Sequence, residues 1–422
     1  MTEISASQGP VARGSMARVG TATAVTALCG YAVIYLAARD LAPSGFSIFG
    51  VFWGAFGLVT GAANGLLQET TREVRSTPYV SDLAALPVPG EPRTHPMRVA
   101  MLVGVAAAVV IAGSSPLWSG RVFVEARLLS VALLSVGLAG FCVHATLLGM
   151  LAGTNQWTRY GALMVTDAVI RVAVAAATVA LGWRLVGFLW ATVAGAVAWL
   201  ILLVASPATR ATARLLTPGG TATFLRGAAH SITAAGASAI LVMGFPVLLK
   251  LTSAELGAQG GVIILAVTLT RAPLLVPLTA MQGNLIAHFV DERSDRIRAL
   301  LAPAAIVGAI GAVGVAAAGV LGPWLLRVAF GSQYHASSAL LAWLTAAAVA
   351  IAMLTLTGAA AVAAALHRAY SLGWVSATVA SGLLLLLPLS LQTRTVVGLL
   401  CGPVVGIGVH LVALSRAARS TG

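Results

Sequence analysis

The chain has 422 residues, of which 59% are apolar and only 9% charged, whereas soluble domains carry about 25% charged residues. A mean hydropathy of +0.95 excludes a disordered chain, a soluble enzyme with one anchor, and any large domain outside the membrane. The formal net charge of +13 does not indicate nucleic-acid binding, because the basic residues (all Arg except Lys250) stand singly between apolar runs.

A span needs about 20 apolar residues to cross a hydrocarbon core about 30 Å thick. Twelve segments meet this: roughly 17–38, 46–67, 98–116, 128–151, 158–181, 185–206, 229–250, 259–282, 299–328, 336–366, 370–391 and 394–415. The ninth and tenth are overlong, which assigns part of each to the interface. Residues 1–16 are polar and lack an apolar core with a cleavage site, so they read as a cytoplasmic tail rather than a signal peptide. The predicted fold class is an all-α polytopic membrane protein. Its expected organisation is a tail (1–16), a six-helix bundle (17–206), a cytoplasmic linker (207–228), a second six-helix bundle (229–415) and a second tail (416–422).

Orientation follows from the positive-inside rule. With the N-terminus inside, sixteen Arg fall in inner segments, against seven basic residues in outer loops (Arg39, Arg121, Arg127, Arg184, Lys250, Arg327 and Arg394). Both termini are therefore expected in the cytoplasm, with the protein in the cytoplasmic membrane.

Two echoes recur at nearly the same offset, close to half the chain. LAPSGFSIFGVFWGAFGLVTGAANGLLQETTREV (41–74) has a weaker counterpart in 252–293, and WTRYGAL (157–163) is echoed by LHRAYSL (366–372). Because six is even, both halves begin inside, which predicts a parallel repeat about an axis along the membrane normal.

Charged side chains at lipid depth are functional candidates by default, since each costs roughly 2.5–3.5 kcal/mol on insertion scales. Asp167 lies about 14 Å into the fifth span and Arg171 about 20 Å, at 1.5 Å per residue. Their acid-before-base i,i+4 order also permits simple mutual neutralisation. Arg271 lies about 18 Å into the eighth span with no acid within a turn, only Thr268 and Thr270. It must find a partner across the bundle, face water, or meet an anionic ligand. If the three converge, the lumen is net positive, which suits a diphosphate head group.

Asn64 and Gln68 share a face at the inner end of the second span, and Gln282 ends the eighth. Amides there can bind sugar hydroxyls or hydrogen-bond between helices. His144 in the fourth span reads either as a packed neutral imidazole or as a proton relay. Gly57, Gly61 and Gly65 permit close helix approach, and Pro273 and Pro277 loosen the hydrogen bonding around Arg271. Cys29, Cys142 and Cys401 lie in apolar runs without metal-ligand spacing and read as small core residues.

Three segments carry a family resemblance. AARDLAPSGFSIFG (37–50) resembles the first outer turn of polysaccharide and O-antigen flippases, with a basic residue, a turn, a Gly and an aromatic leading into the second helix. AGTNQWTRYGAL (152–163) resembles their turn before helix five, and GPWLLRVAFGSQYHASSALLAWL (322–344) their ninth-to-tenth helix junction. These flippases belong to the multidrug/oligosaccharidyl-lipid/polysaccharide flippase superfamily. The resemblance implies a V-shaped pair of bundles that opens a central cavity alternately to each side. It also implies a polyprenyl-phosphate-linked saccharide as substrate, for cell-envelope polysaccharide synthesis.

The residues set against the cavity are then Arg271, Arg171, Asp167, Asn64, Gln68, Gln282 and His144. No cofactor, metal or nucleic acid is expected; the expected partners are the lipid-linked saccharide, membrane lipids and envelope glycosyltransferases. An enzyme is not expected, since the chain has no Walker loop, no HExxH and no metal-ligand cluster. Two alternatives stay open: a cation-coupled multidrug antiporter of the same superfamily, and a non-transporting scaffold for envelope synthesis.

Overall fold

A computed structural model describes residues 13–76, 92–281, 285, 288–290 and 296–420. Among them the chain is almost wholly α-helical. The helices are α1 (Arg13–Asp40), α2 (Pro43–Arg75), α3 (Pro96–Val122), α4 (Arg127–Gly153), α5 (Trp157–Leu181), α6 (Arg184–Ala194), α7 (Ala198–Ala205), α8 (Pro207–Ala213), α9 (Thr221–Val242) and α10 (Phe245–Leu251). They continue as α11 (Gly257–Ala280), α12 (Arg296–Phe330), α13 (Ser338–Ala363), α14 (His367–Leu384) and α15 (Leu391–Ser420). A two-stranded antiparallel ribbon pairs β1 (Arg93–Thr94) with β2 (Thr217–Pro218).

Ten of these segments are long and apolar enough to cross a membrane, or eleven if the bent pair α9–α10 counts as one. This is a polytopic membrane fold, and it departs from the twelve uniform spans of the sequence in three places. The seventh span breaks by 67° between Val242 and Phe245. The sixth is interrupted by a 3-10 turn at Gly195–Val197, between α6 and α7. At the eleventh position stands α14, 18 residues long, which opens on His367 and Arg368 and is not among the ten.

Helices end where the chain supplies the means. Gly182 (φ 66°) closes α5 and Gly331 (φ 101°) follows α12, both in the left-handed region that only Gly adopts without strain. Ser337 caps α13 by accepting the Leu340 amide, and Ser206 caps α8 by accepting that of Thr209.

The helices form two compact units. Unit one comprises the chain up to Ile34, Phe56–Gly120 and Ala126–Gly236; unit two comprises Tyr35–Ala55, Arg121–Glu125 and the chain from Ala237. In unit one, Ala63, Leu66, Val99, Leu138, Cys142, Phe224 and Ala228 form one core cluster. Gly65 lies at a close helix approach, since a Cβ there would collide with the backbone of Ser231 and Ile232. In unit two, Phe289, Leu300, Leu356, Ala359, Ala360 and Leu414 pack together. The most apolar stretch of α12 is only 6% buried, as expected of a helix that meets lipid. Of the cysteines only Cys142 is buried; Cys401 is exposed, so an apolar run did not guarantee a core position.

The echo 157–163/366–372 has a backbone counterpart. Asn155 and Ala365 both adopt positive φ, 57° and 59°. The residues that follow, Gln156 (−85°, 56°) and Leu366 (−89°, 56°), match as well. The amides of Gln156 and Leu366 reach back five residues, to the Leu151 and Ala361 carbonyls. The same turn is thus built once in each unit.

Candidate functional site

Asp167 and Arg171 are on α5 in unit one and form a bidentate pair, with Nε to Oδ2 and Nη2 to Oδ1 both at 3.0 Å. The remaining Arg171 nitrogen, Nη1, donates to the Thr192 carbonyl at 2.6 Å. That carbonyl stands just before the 3-10 turn in the sixth span. Gly195 makes room for the arrangement, because a Cβ there would collide with Asp167 Oδ1 and Arg171 Nε. The Arg171 guanidinium also lies over the Phe56 ring, 5.4 Å from its centroid. Every nitrogen of Arg171 is therefore occupied from within unit one.

Arg271 stands on α11 in unit two and is 8% exposed. Its Nη1 donates to the Val242 carbonyl at 3.0 Å and, more weakly, to that of Leu241 at 3.4 Å. These are the last carbonyls of α9. In an unbroken helix the Val242 oxygen would accept the amide of residue 246, but that residue is proline and has no amide hydrogen. Arg271 fills the vacancy left by Pro246 and places its charge at a helix C-terminus, where the macrodipole favours cations. Its guanidinium lies 5.3 Å from the Phe245 ring centroid.

No carboxylate pairs with it among the described residues, and Nη2 is buried without a hydrogen-bond partner. Where each Arg171 nitrogen has a partner, Arg271 keeps one nitrogen without a partner among the described residues. The two arginines belong to different units, each built on the same plan: a guanidinium over a Phe ring, donating to a carbonyl beside a helix break.

The other sequence candidates among the described residues lie on other helices, His144 near enough to Asp167 and Arg171 to feel their charges. Asn64 is half-buried and Gln68 exposed on α2. His144 is buried on α4, stacked on Phe141 (5.4 Å between centroids, 16° between planes), and its Nδ1 has no partner among the described residues. Gln282 lies outside the described residues.

Three groups escaped the sequence reading. Glu69, 3% exposed near the C-terminal end of α2, is clasped by Arg72 (2.6 and 3.1 Å), and its carboxylate occupies space that a Cβ at Gly227 would fill. Lys250, with Ser44, Ser47 and Glu255, lines a cavity of about 240 Å³ in unit two and donates to the Ala254 carbonyl at 3.0 Å. His410, fully buried on α15, has both ring nitrogens hydrogen-bonded. Its signal in the sequence was a lone His in an apolar run, the same as that of His144.

No known protein-family model matches the chain. It is 82% identical over 411 residues to the uncharacterized protein Rv3630 of Mycobacterium tuberculosis, covering 97% of this chain and 94% of that one. It is 71% identical over 419 residues to a second protein of that organism, Rv1510, covering 99% and 96%. The chain belongs to one family with Rv3630 and Rv1510.

Among solved structures it is similar to an inward-facing multidrug resistance MATE family transporter of the MOP superfamily. The TM-score is 0.69 at 17% identity, over 94% of this chain and 96% of that one. It is also similar to a MOP superfamily transporter from Pyrococcus furiosus (TM-score 0.60, 14% identity, 96% of each chain), for which reverse polarity of the binding pocket suggests a different function. The chain shares the fold of these two transporters, as the family-like turns had implied.

Proposed function

We propose that the protein is a membrane transporter that moves a polyprenyl-phosphate-linked saccharide across the cytoplasmic membrane by alternating access, for cell-envelope polysaccharide synthesis. The observation that carries this reading is Arg271, a buried guanidinium that has no carboxylate partner among the described residues and whose Nη2 has no hydrogen-bond partner among them. A planar guanidinium in a low-dielectric setting holds a phosphate oxygen pair bidentately, and a helix C-terminus keeps it charged while the ligand is absent. Asn64 and Gln68 supply amides suited to sugar hydroxyls. Both termini face the cytoplasm in this reading, and no nucleotide drives the cycle.

Depletion in cells should cause lipid-linked saccharide to accumulate on the cytoplasmic leaflet. An unchanged leaflet distribution in a clean deletion would overturn the proposal.

One observation favours the multidrug-antiporter reading. Asp40, at the end of α1 in unit two, has a buried Oδ2 without a partner among the described residues. The two buried acids among the described residues, Asp167 and Glu69, are each held by an arginine. A deletion strain broadly sensitised to cationic drugs, with its envelope glycans intact, would select that reading.

A further inference from the structure

Within unit two, His410 on α15 sits between α13 and α14 with none of its surface exposed. Space for the ring depends on two glycines: a Cβ at Gly373 would collide with the imidazole, and one at Gly358 would come within 3.4 Å of it. The Tyr370 ring stacks nearly parallel to it, 3° between planes and 6.2 Å between centroids.

The hydrogen bonds define what the ring can do. Nε2 lies 3.2 Å from the Tyr370 carbonyl, an oxygen that can only accept, so Nε2 carries a hydrogen. Nδ1 lies 3.0 Å from the Thr357 hydroxyl, and that hydroxyl also lies 3.1 Å from the Leu354 carbonyl. A hydroxyl has one hydrogen and two lone pairs. With a neutral ring, Thr357 donates to Nδ1. With a protonated ring, Nδ1–H donates to Thr357 Oγ1, and the hydroxyl turns to donate to Leu354. Both protonation states leave every polar group of the cluster satisfied, so moving between them needs only the rotation of one hydroxyl. His144 offers no such arrangement, for its Nδ1 has no partner among the described residues.

We propose that His410 is the binding site of a coupling proton, taken up on Nδ1 and relayed through the Thr357 hydroxyl. The proton comes from hydronium, which leaves as water, and the imidazole becomes imidazolium. The groups facing the ring are Thr357, Leu354 and Gly358 from α13 and Tyr370 and Gly373 from α14. Tyr370 is the titratable one among them, and none is charged at neutral pH. The Tyr370 side chain is in turn hydrogen-bonded to Ser238 on α9, one turn before the carbonyls that Arg271 holds. Because the ring is sealed, it exchanges its proton only in a conformation that parts these helices, and this ties protonation to a transport cycle. The inference rests on the transporter reading but not on the identity of the cargo.

The test uses the full chain, labelled with 15N-histidine and reconstituted in liposomes without cargo, and titrated by solid-state NMR from pH 8 to 5. The His410 signal is identified by its absence in His410→Gln. It should pass from a neutral Nε2–H ring to a doubly protonated one. Thr357→Val should lower the midpoint by at least half a pH unit, whereas Thr357→Ser should restore it. An imposed pH gradient should change the cargo transport rate several-fold in the parent protein and not in His410→Gln. A ring that stays neutral down to pH 5, a midpoint indifferent to Thr357→Val, or an undiminished gradient response in His410→Gln would overturn the assignment. A wrong cargo would show instead as unaltered saccharide leaflet distribution beside a normal His410 titration.

Discussion

Pro246 and Arg271 meet at one oxygen atom: the proline withholds an amide hydrogen from the Val242 carbonyl, and the arginine supplies one from another helix at 3.0 Å. The break in the seventh span and the buried charge in the eighth are therefore one feature. Without Arg271 that carbonyl loses its side-chain donor, and an unpaired carbonyl in a membrane interior costs several kcal/mol.

Arg271→Ala is expected to abolish transport nearly completely, with insertion and folding retained. Arg271→Lys, which keeps a point charge but not the planar fork, should impair it partly. Pro246→Ala restores the amide, lets the Val242 carbonyl be satisfied locally, and should lower transport while raising thermal stability. Complementation of a deletion strain at matched protein levels checks all three, and full complementation by Arg271→Ala would refute the cationic-site mechanism.

The Asp167–Arg171 pair is expected to behave as a structural clasp. Breaking it from one side in Asp167→Asn leaves a largely buried guanidinium and should cost about 3 kcal/mol. The double variant Asp167→Asn/Arg171→Gln should cost less than the sum of the singles, by about 1–2 kcal/mol. Gly195→Ala should destabilise by a comparable 1–3 kcal/mol through overpacking. Denaturation in mild detergent measures each. Additive effects of the two single changes would show that the clasp contributes nothing as a pair.

Ala365 is held at φ 59° where the matching turn has Asn155 at 57°. A left-handed conformation costs an ordinary L-residue roughly 1–2 kcal/mol, and Asn tolerates it better. Ala365→Asn should therefore stabilise the protein by about 0.5–1 kcal/mol without touching transport. A shift of the melting temperature upward with unchanged activity is the expected result.

Tyr334, in the loop between α12 and α13, is fully buried and donates its hydroxyl to the Leu41 carbonyl at 3.2 Å. Burial pushes its phenol well above the ordinary value of 10.0. A raised native value favours the protonated form, so its contribution is complete below pH 10 and fades as pH climbs towards the native value. The melting temperature should fall above pH 10. Tyr334→Phe should start about 1 kcal/mol lower and lose less on alkalinisation.

Much of the fold was legible as apolar runs of span length, and the Asp167–Arg171 pair as an i,i+4 spacing. The partners beyond one helix were not. That Pro246 leaves the Val242 carbonyl without a donor follows from counting four residues back. That Arg271 supplies the donor depends on how α9 and α11 pack, which periodicity does not encode. His144 and His410 look alike as single histidines in apolar segments. They differ through Gly358, Gly373 and Thr357, whose relevance appears only once three helices are brought together. Lys250 was read as a loop cation because it lies at the end of a span, yet it is 9% exposed.

The division into units has a consequence for biosynthesis. The polypeptide passes between them five times, and α1 itself begins in one and, from Tyr35 onward, belongs to the other. Residues 35–55 leave the ribosome well ahead of most of their compact unit, which resumes in bulk only at Ala237. Throughout the intervening synthesis this early stretch waits in the bilayer for companions not yet made, during which its apolar surface is open to mispairing. Severing the gene between α8 and α9 would accordingly not yield two self-sufficient products, because the downstream fragment would lack a portion of its own compact unit that is encoded upstream of the cut.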